Sequence, residues 1–171
     1  DYASVGCLEN TMCGNDRSAT VDCNPNLVKA VELTLGGGQD LITYTDALWG
    51  KPYPAETDAP KTGDPRAFAD FETFYEAFRV QLNYVIARMA ALYERSTELR
   101  ASYAPTPYLS CLVRGCAESA KDCTQGGAEL SFVTVEGVTF ATTVDSLLAI
   151  RYLVYDKKVC TMDTLIRALK A

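Results

Sequence analysis

The stretch Gly6-Cys7-Leu8-Glu9 decides how this sequence is read. It sets a thiol and a carboxylate two positions apart. In extended chain, residues i and i+2 point to the same side. Cys7 and Glu9 therefore face one space, and Gly6 lets the backbone turn sharply beside them. A thiol supplies a nucleophile, a metal ligand or a sulfur radical, and a carboxylate beside it gives or takes a proton. Taken alone, the four residues read more readily as a small buried Cys and a solvated Glu. The rest of the chain changes that reading.

At 171 residues the chain is long enough for one domain with a real core. A hydrophobic share of 48% and a charged share of 22% match an ordinary soluble composition. The net charge of -6 argues against a nucleic-acid surface. No apolar run reaches the roughly 18 residues that span a bilayer, and no signal peptide is visible. A cytoplasmic protein that meets neither membrane nor nucleic acid is expected. The sequence starts at Asp1 without Met and stops at Ala171 directly after a helical pattern, so a piece of a longer protein is expected.

The seven cysteines are Cys7, Cys13, Cys23, Cys111, Cys116, Cys123 and Cys160. Their odd number and spacing suggest no compact disulfide framework, and reduced thiols fit best. No C-x-x-C pair occurs and the chain has no His, so no metal site is expected. Without His, Ser-His-Asp and Cys-His catalysis fall away for these residues.

Residues 1–25 lack a steady period and read as a long loop, a feature that is usually functional. Leu27, Val28, Val31, Leu33 and Leu35 follow a helical spacing that Gly36-Gly37-Gly38 ends. The triple Gly follows a helix and lacks the Gly-Lys-Ser/Thr ending of a phosphate loop. Residues 39–66 form an irregular, Pro-rich connection in which Trp49 and Tyr53 read as packing anchors. Asp70 caps a long helix whose apolar stripe runs Phe71, Phe74, Phe78, Leu82, Val85, Met89 and Leu92 and reads as core. Thr106-Pro107 opens a further helix to about Lys121. Residues 130–140 lean towards strand, with Gly137 interrupting. A helical face returns from Val144 to Val154, and Thr161 caps the last helix, with Leu165, Ile166 and Leu169 on its buried side.

In order and spacing these pieces resemble the glycyl radical enzymes, the pyruvate formate-lyase superfamily, over nearly all 171 residues. Gly6-Cys7-Leu8-Glu9 resembles the family's G-C-V-E motif. Asn26-Leu27 to Glu32-Leu33 resembles the helix that follows it. Thr62-Gly63-Asp64-Pro65-Arg66 is similar to the T-G-D-P segment, and Thr106-Pro107-Tyr108-Leu109-Ser110 to T-P-[FY]-L-S. Gly126-Gly127-Ala128, Glu136-Gly137-Val138 and Asp145-Ser146-Leu147 track the tail G-G-A…Q-G-V…D-S-L.

The resemblance implies an α/β fold: a fragment of a ten-stranded barrel, mostly helical in this piece, with the catalytic Cys loop at its start. Residues 1–171 would be part of one pyruvate formate-lyase-like domain, with the glycyl radical domain beyond residue 171. The resemblance also implies a glycyl radical installed by a radical-SAM activase, with no cofactor bound in this segment. Cys7 would carry the thiyl radical, Glu9 would be its base or hydrogen-bond partner, and the full-length enzyme would be a homodimer acting on a small molecule.

Two departures sharpen the expectation. Asn10 stands where the motif usually continues with Pro, and Gly6 stands where formate C-acetyltransferases carry a second Cys, which disfavours that activity. Glu136 fills a position often held by Gln. It resembles the arylacetate decarboxylase branch, where acidic residues contact substrate; read plainly, it is a solvated loop Glu. The expected activity is therefore anaerobic C–C or C–heteroatom cleavage, with arylacetate decarboxylation slightly ahead of diol dehydration or C–N lysis. A non-catalytic remnant or interaction module is the rival from another class.

Overall fold

The computed structural model describes residues 2–6, 9–17, 22–41 and 59–170. Cys7, Trp49 and Tyr53 lie outside the described residues. The described chain is mostly helical, with one small antiparallel sheet. It divides into two compact units, residues 1–25 with 88–136, and residues 26–87 with 137–171. Among the described residues, no helix is long and apolar enough to cross a membrane.

The first unit opens on a hairpin where the sequence reads as loop. Strand β1 (Tyr2–Ser4) pairs with β2 (Asn10–Met12) in the register Tyr2↔Met12, Ala3↔Thr11, Ser4↔Asn10. Three-residue strands are too short for an alternating pattern to stand out, so sequence periodicity misses them. Residues 15–17 and 22–23 lie beside 129–136. The Arg17 N–H donates to Leu130 O at 2.9 Å, and the Glu136 N–H donates to Cys23 O at 3.0 Å. The strand-leaning run at 130–140 thus forms isolated parallel bridges, not a continuous strand.

The helix expected over 106–121 is broken in two, α3 (Pro107–Ser110) and α4 (Cys116–Ser119). Gly115 lies between them at φ 97°, which a right-handed helix cannot contain. Thr106 makes no side-chain cap; its hydroxyl lies 3.0 Å from Cys123 Sγ. The network centres instead on Asp122. Its carboxylate accepts from Thr106 N at 3.0 Å, Ser110 Oγ at 2.7 Å, Thr124 N at 2.9 Å and Thr124 Oγ1 at 2.6 Å. Beside it, Val113, Cys116 and Cys123 make a small buried cluster.

The second unit holds the larger core. Helix α1 (Leu27–Leu35) packs against α5 (Phe140–Ile150), as the period at 27–35 predicts. Gly37 and Gly38 sit at φ 65° and 97°, and the carbonyls of Gly63 and Pro60 occupy the space where their Cβ atoms would stand. The glycine run therefore ends α1 and also lets the 59–63 backbone pass close by. Helix α2 (Phe71–Tyr103) starts at an Asp70 cap, whose Oδ1 accepts from Thr73 N at 2.8 Å. Gln81 is fully buried, and its Nε2 donates to Pro60 O at 2.7 Å and to Thr62 Oγ1 at 3.1 Å.

Helix α6 (Met162–Lys170) is capped by Thr161, whose Oγ1 accepts from Thr164 N at 3.1 Å. Ala30, Val31, Leu35, Phe74, Phe78, Ile150, Met162 and Ile166 form the core. Each large side chain buried there stabilises the fold by about 1.5–3 kcal/mol. Two expectations need correction. Only the first turns of α2 are buried, with Leu92 at 64% exposure, and Leu169 is exposed on α6. Helix α5 also starts at Phe140 and passes into a π-helical stretch, Arg151–Asp156.

Asp122 has a measurable consequence. Burial pushes its carboxyl up, but hydrogen bonds from Thr124, Ser110 and Thr106 outweigh that and hold it well below the ordinary 3.8. A depressed folded-state value contributes stability above the unfolded value and loses it as pH falls towards the folded one. Asp122→Ala is expected to cost about 1–3 kcal/mol at neutral pH. In urea unfolding, the gap to the unsubstituted protein should narrow below about pH 4.

Candidate functional site

The candidate site is built on Val5, Gly6 and Glu9, at the tip of the β1–β2 hairpin. The Val5 N–H donates to Glu9 O at 3.0 Å and closes the tip across its base. Ser4 Oγ donates to Gly6 O at 3.1 Å, with Glu9 O at 3.4 Å. On the other strand, Asp16 Oδ2 accepts from Met12 N at 3.1 Å and anchors the end of β2. Glu9 is only 5% exposed, whereas Gly6 beside it is exposed. The tip thus carries a buried carboxylate two residues from position 7. The reading of Glu9 as a solvated residue does not hold.

Glu136 lies on another segment of the same unit, beside Cys23. Its Oε1 is buried with no hydrogen-bond partner among the described residues. The residue as a whole is half-buried. The structure adds a carboxylate that the sequence did not single out, Asp22. Its side chain is 1% exposed, and its Oδ2 accepts from Thr134 N at 3.0 Å. Its Oδ1 stands 3.8 Å from Arg17 Nη1 and makes no hydrogen bond among the described residues. The only sequence signal was its place next to Cys23 at the end of an irregular segment. Asp22 Oδ1 and Glu136 Oε1 are buried acceptors in one unit, and such atoms cost stability unless a ligand donates to them.

The thiols divide by environment. Burial, and then the Asp22 charge, push Cys23 up; burial, and then Cys123, push Cys116 up. Both are held as neutral thiols at pH 7, unsuited to thiolate attack. The six described cysteines are all free. Among the described residues, no three Cys, Asp or Glu side chains gather as metal ligands do. The second unit has an apolar cleft lined by Val28, Val31, Leu35, Leu153 and Leu165. Its one carboxylate, Glu32, is engaged by Lys29 at 2.9 Å and by Leu41 N at 3.1 Å.

Comparison with known proteins places these features. The family model described as pyruvate formate lyase-like matches residues 1–171. The chain is 36% identical over 166 residues to trans-4-hydroxy-L-proline dehydratase of Clostridioides difficile, covering 97% of this chain and 20% of that protein. It is 32% identical to isethionate sulfite-lyase of Bilophila wadsworthia over 174 residues, covering 100% of this chain and 20% of that protein. The B12-independent glycerol dehydratase of Clostridium butyricum, solved with glycerol bound, superposes with a TM-score of 0.80 at 29% identity, over 99% of this chain and 20% of that one. The chain therefore spans about a fifth of the length of the relatives it matches.

Glu136 generates a stability test. Glu136→Met keeps the side-chain shape and removes the unpartnered oxygen, so stability should hold or rise by up to about 1 kcal/mol. A fall of more than about 1 kcal/mol in urea unfolding would make Glu136 a structural acceptor.

Proposed function

We infer that this chain, which belongs to the pyruvate formate lyase-like family, is the thiol-bearing segment of a glycyl radical lyase. The observation that carries the reading is the hairpin tip, where a buried Glu9 sits two residues from Cys7. A carboxylate buried there has its reach fixed by a closed backbone, as a base acting on one bound substrate requires.

A glycyl radical, installed by a radical-SAM activase on a backbone beyond residue 171, supplies the hydrogen-atom acceptor that turns the Cys7 thiol into a thiyl. Cys7 then removes a hydrogen atom from a substrate carbon that bears a hydroxyl. Glu9 takes the proton of that hydroxyl, which drives out the substituent on the adjacent carbon. Cys7 returns its hydrogen atom to the product. Because Cys7 acts by hydrogen exchange, no lowered thiol pKa is needed. Asp22 and Glu136 offer buried acceptors to the substrate's hydroxyl or ammonium groups.

Dehydration is favoured over the arylacetate decarboxylation that Glu136 suggested, because the relatives named above include dehydratases for a hydroxylated amino acid and for glycerol. A single Cys in the tip speaks against formate C-acetyltransferase chemistry. A non-catalytic remnant would have no use for a buried carboxylate beside the exposed Gly6. In the whole protein the hairpin would point into a barrel of two five-stranded halves. The enzyme would be a cytoplasmic homodimer acting on a small molecule.

Two variants of the full-length enzyme test the assignments. Cys7→Ala should accept the glycyl radical, seen by electron paramagnetic resonance, and lose all turnover; retained turnover removes Cys7 from the chemistry. Glu9→Gln should keep the radical and lose about 10²-fold or more in kcat. An unchanged kcat would remove Glu9.

A further inference from the structure

The sequence reads Gly6 as a point of backbone freedom, but its φ angle does not need that freedom here. It is not among the residues with positive φ. What excludes a side chain is one neighbour. A Cβ built on Gly6 would stand 2.6 Å from Glu9 Cδ and 3.0 Å from Oε1, and it would overlap Oε2. The three nearest atoms all belong to the Glu9 carboxyl group, and none is backbone. The carboxylate therefore lies in the space that a side chain at position 6 would fill.

We propose that Gly6 is the positioning residue for Glu9: its missing side chain is the seat of the Glu9 carboxylate, and any larger residue unseats it. The inference rests on the reading of Glu9 as the proton acceptor. A methyl group at position 6 leaves the φ angle acceptable and the hairpin ladder intact. The cheapest relief is rotation of the flexible Glu9 side chain, which must withdraw its carboxylate by about 1 Å to regain ordinary contact. A displacement of that size is enough to cost about 10²-fold in rate when the group must meet a proton in one geometry.

The test uses the full-length enzyme as Gly6→Ala, Glu9→Gln and the double variant. A crystal structure of unactivated Gly6→Ala should show the Glu9 carboxylate moved by about 1 Å over an unmoved backbone at residues 4–10. The melting temperature and glycyl radical yield should match those of the unsubstituted enzyme. With glycerol in D₂O, recovered substrate should still gain deuterium through the Cys7 thiol, while kcat falls about 10²-fold. Gly6→Ala should cost nothing further in the Glu9→Gln background.

An unmoved carboxylate, a shifted backbone, a lowered melting temperature or radical yield, or additive losses in the double variant each overturn the proposal. If Glu9→Gln alone keeps full turnover, the functional reading of Glu9 fails first. If Glu9→Gln loses turnover and Gly6→Ala does not, only the role of Gly6 fails.

Discussion

Backbone hydrogen bonds between segments more than a hundred residues apart are the constraint on which this structure depends. The backbone groups of Arg17, Cys23 and Leu27 require partners. In the first unit, Arg17 and Cys23 find them at Leu130 and at Thr134 and Glu136; in the second, the Leu27 N–H finds Val138 O at 3.2 Å. These pairings fix where the chain leaves the hairpin and where α1 begins. Closing loops of that length carries an entropic cost that grows only slowly with length. Side chains reinforce the same pairings: Asp22 accepts from Thr134 N, and Thr139 Oγ1 lies 2.8 Å from Asn26 Oδ1.

The site is a consequence of that pairing. A three-residue ladder alone is too short to hold a fixed shape in water. It is held here because the Asp16 carboxylate accepts from Met12 N while the Asp16 backbone is bridged to Leu130. The same strip carries Asp22 and Glu136. The carboxylates that give the unit its chemical character are thus placed by backbone groups of residues distant in sequence.

What the sequence made legible was local. The period at 27–35, the Asp70 and Thr161 caps and the glycine stop after α1 each depend on neighbours within a turn, and all are found in the structure. What it hid depends on distant partners or single angles. The hairpin is too short for a period, and the split between α3 and α4 turns on Gly115. The burial of Asp22 depends on the backbone of Thr134. At the site, the Cys7–Glu9 spacing marked the tip. It could not show that Glu9 is buried or that its carboxylate lies over Gly6.

The long helix has a consequence for how the protein is made. Past Gln81 its apolar residues Ile86, Leu92 and Leu99 are open to solvent in this chain. A helix of 33 residues with a stable cap forms within microseconds of leaving the ribosome. Those residues stay open while the sequence after them is synthesised, at about 5–20 residues per second. For those seconds the nascent polypeptide presents a preformed sticky rod. Its survival then rests on chaperones and on the local concentration of ribosomes translating the same message.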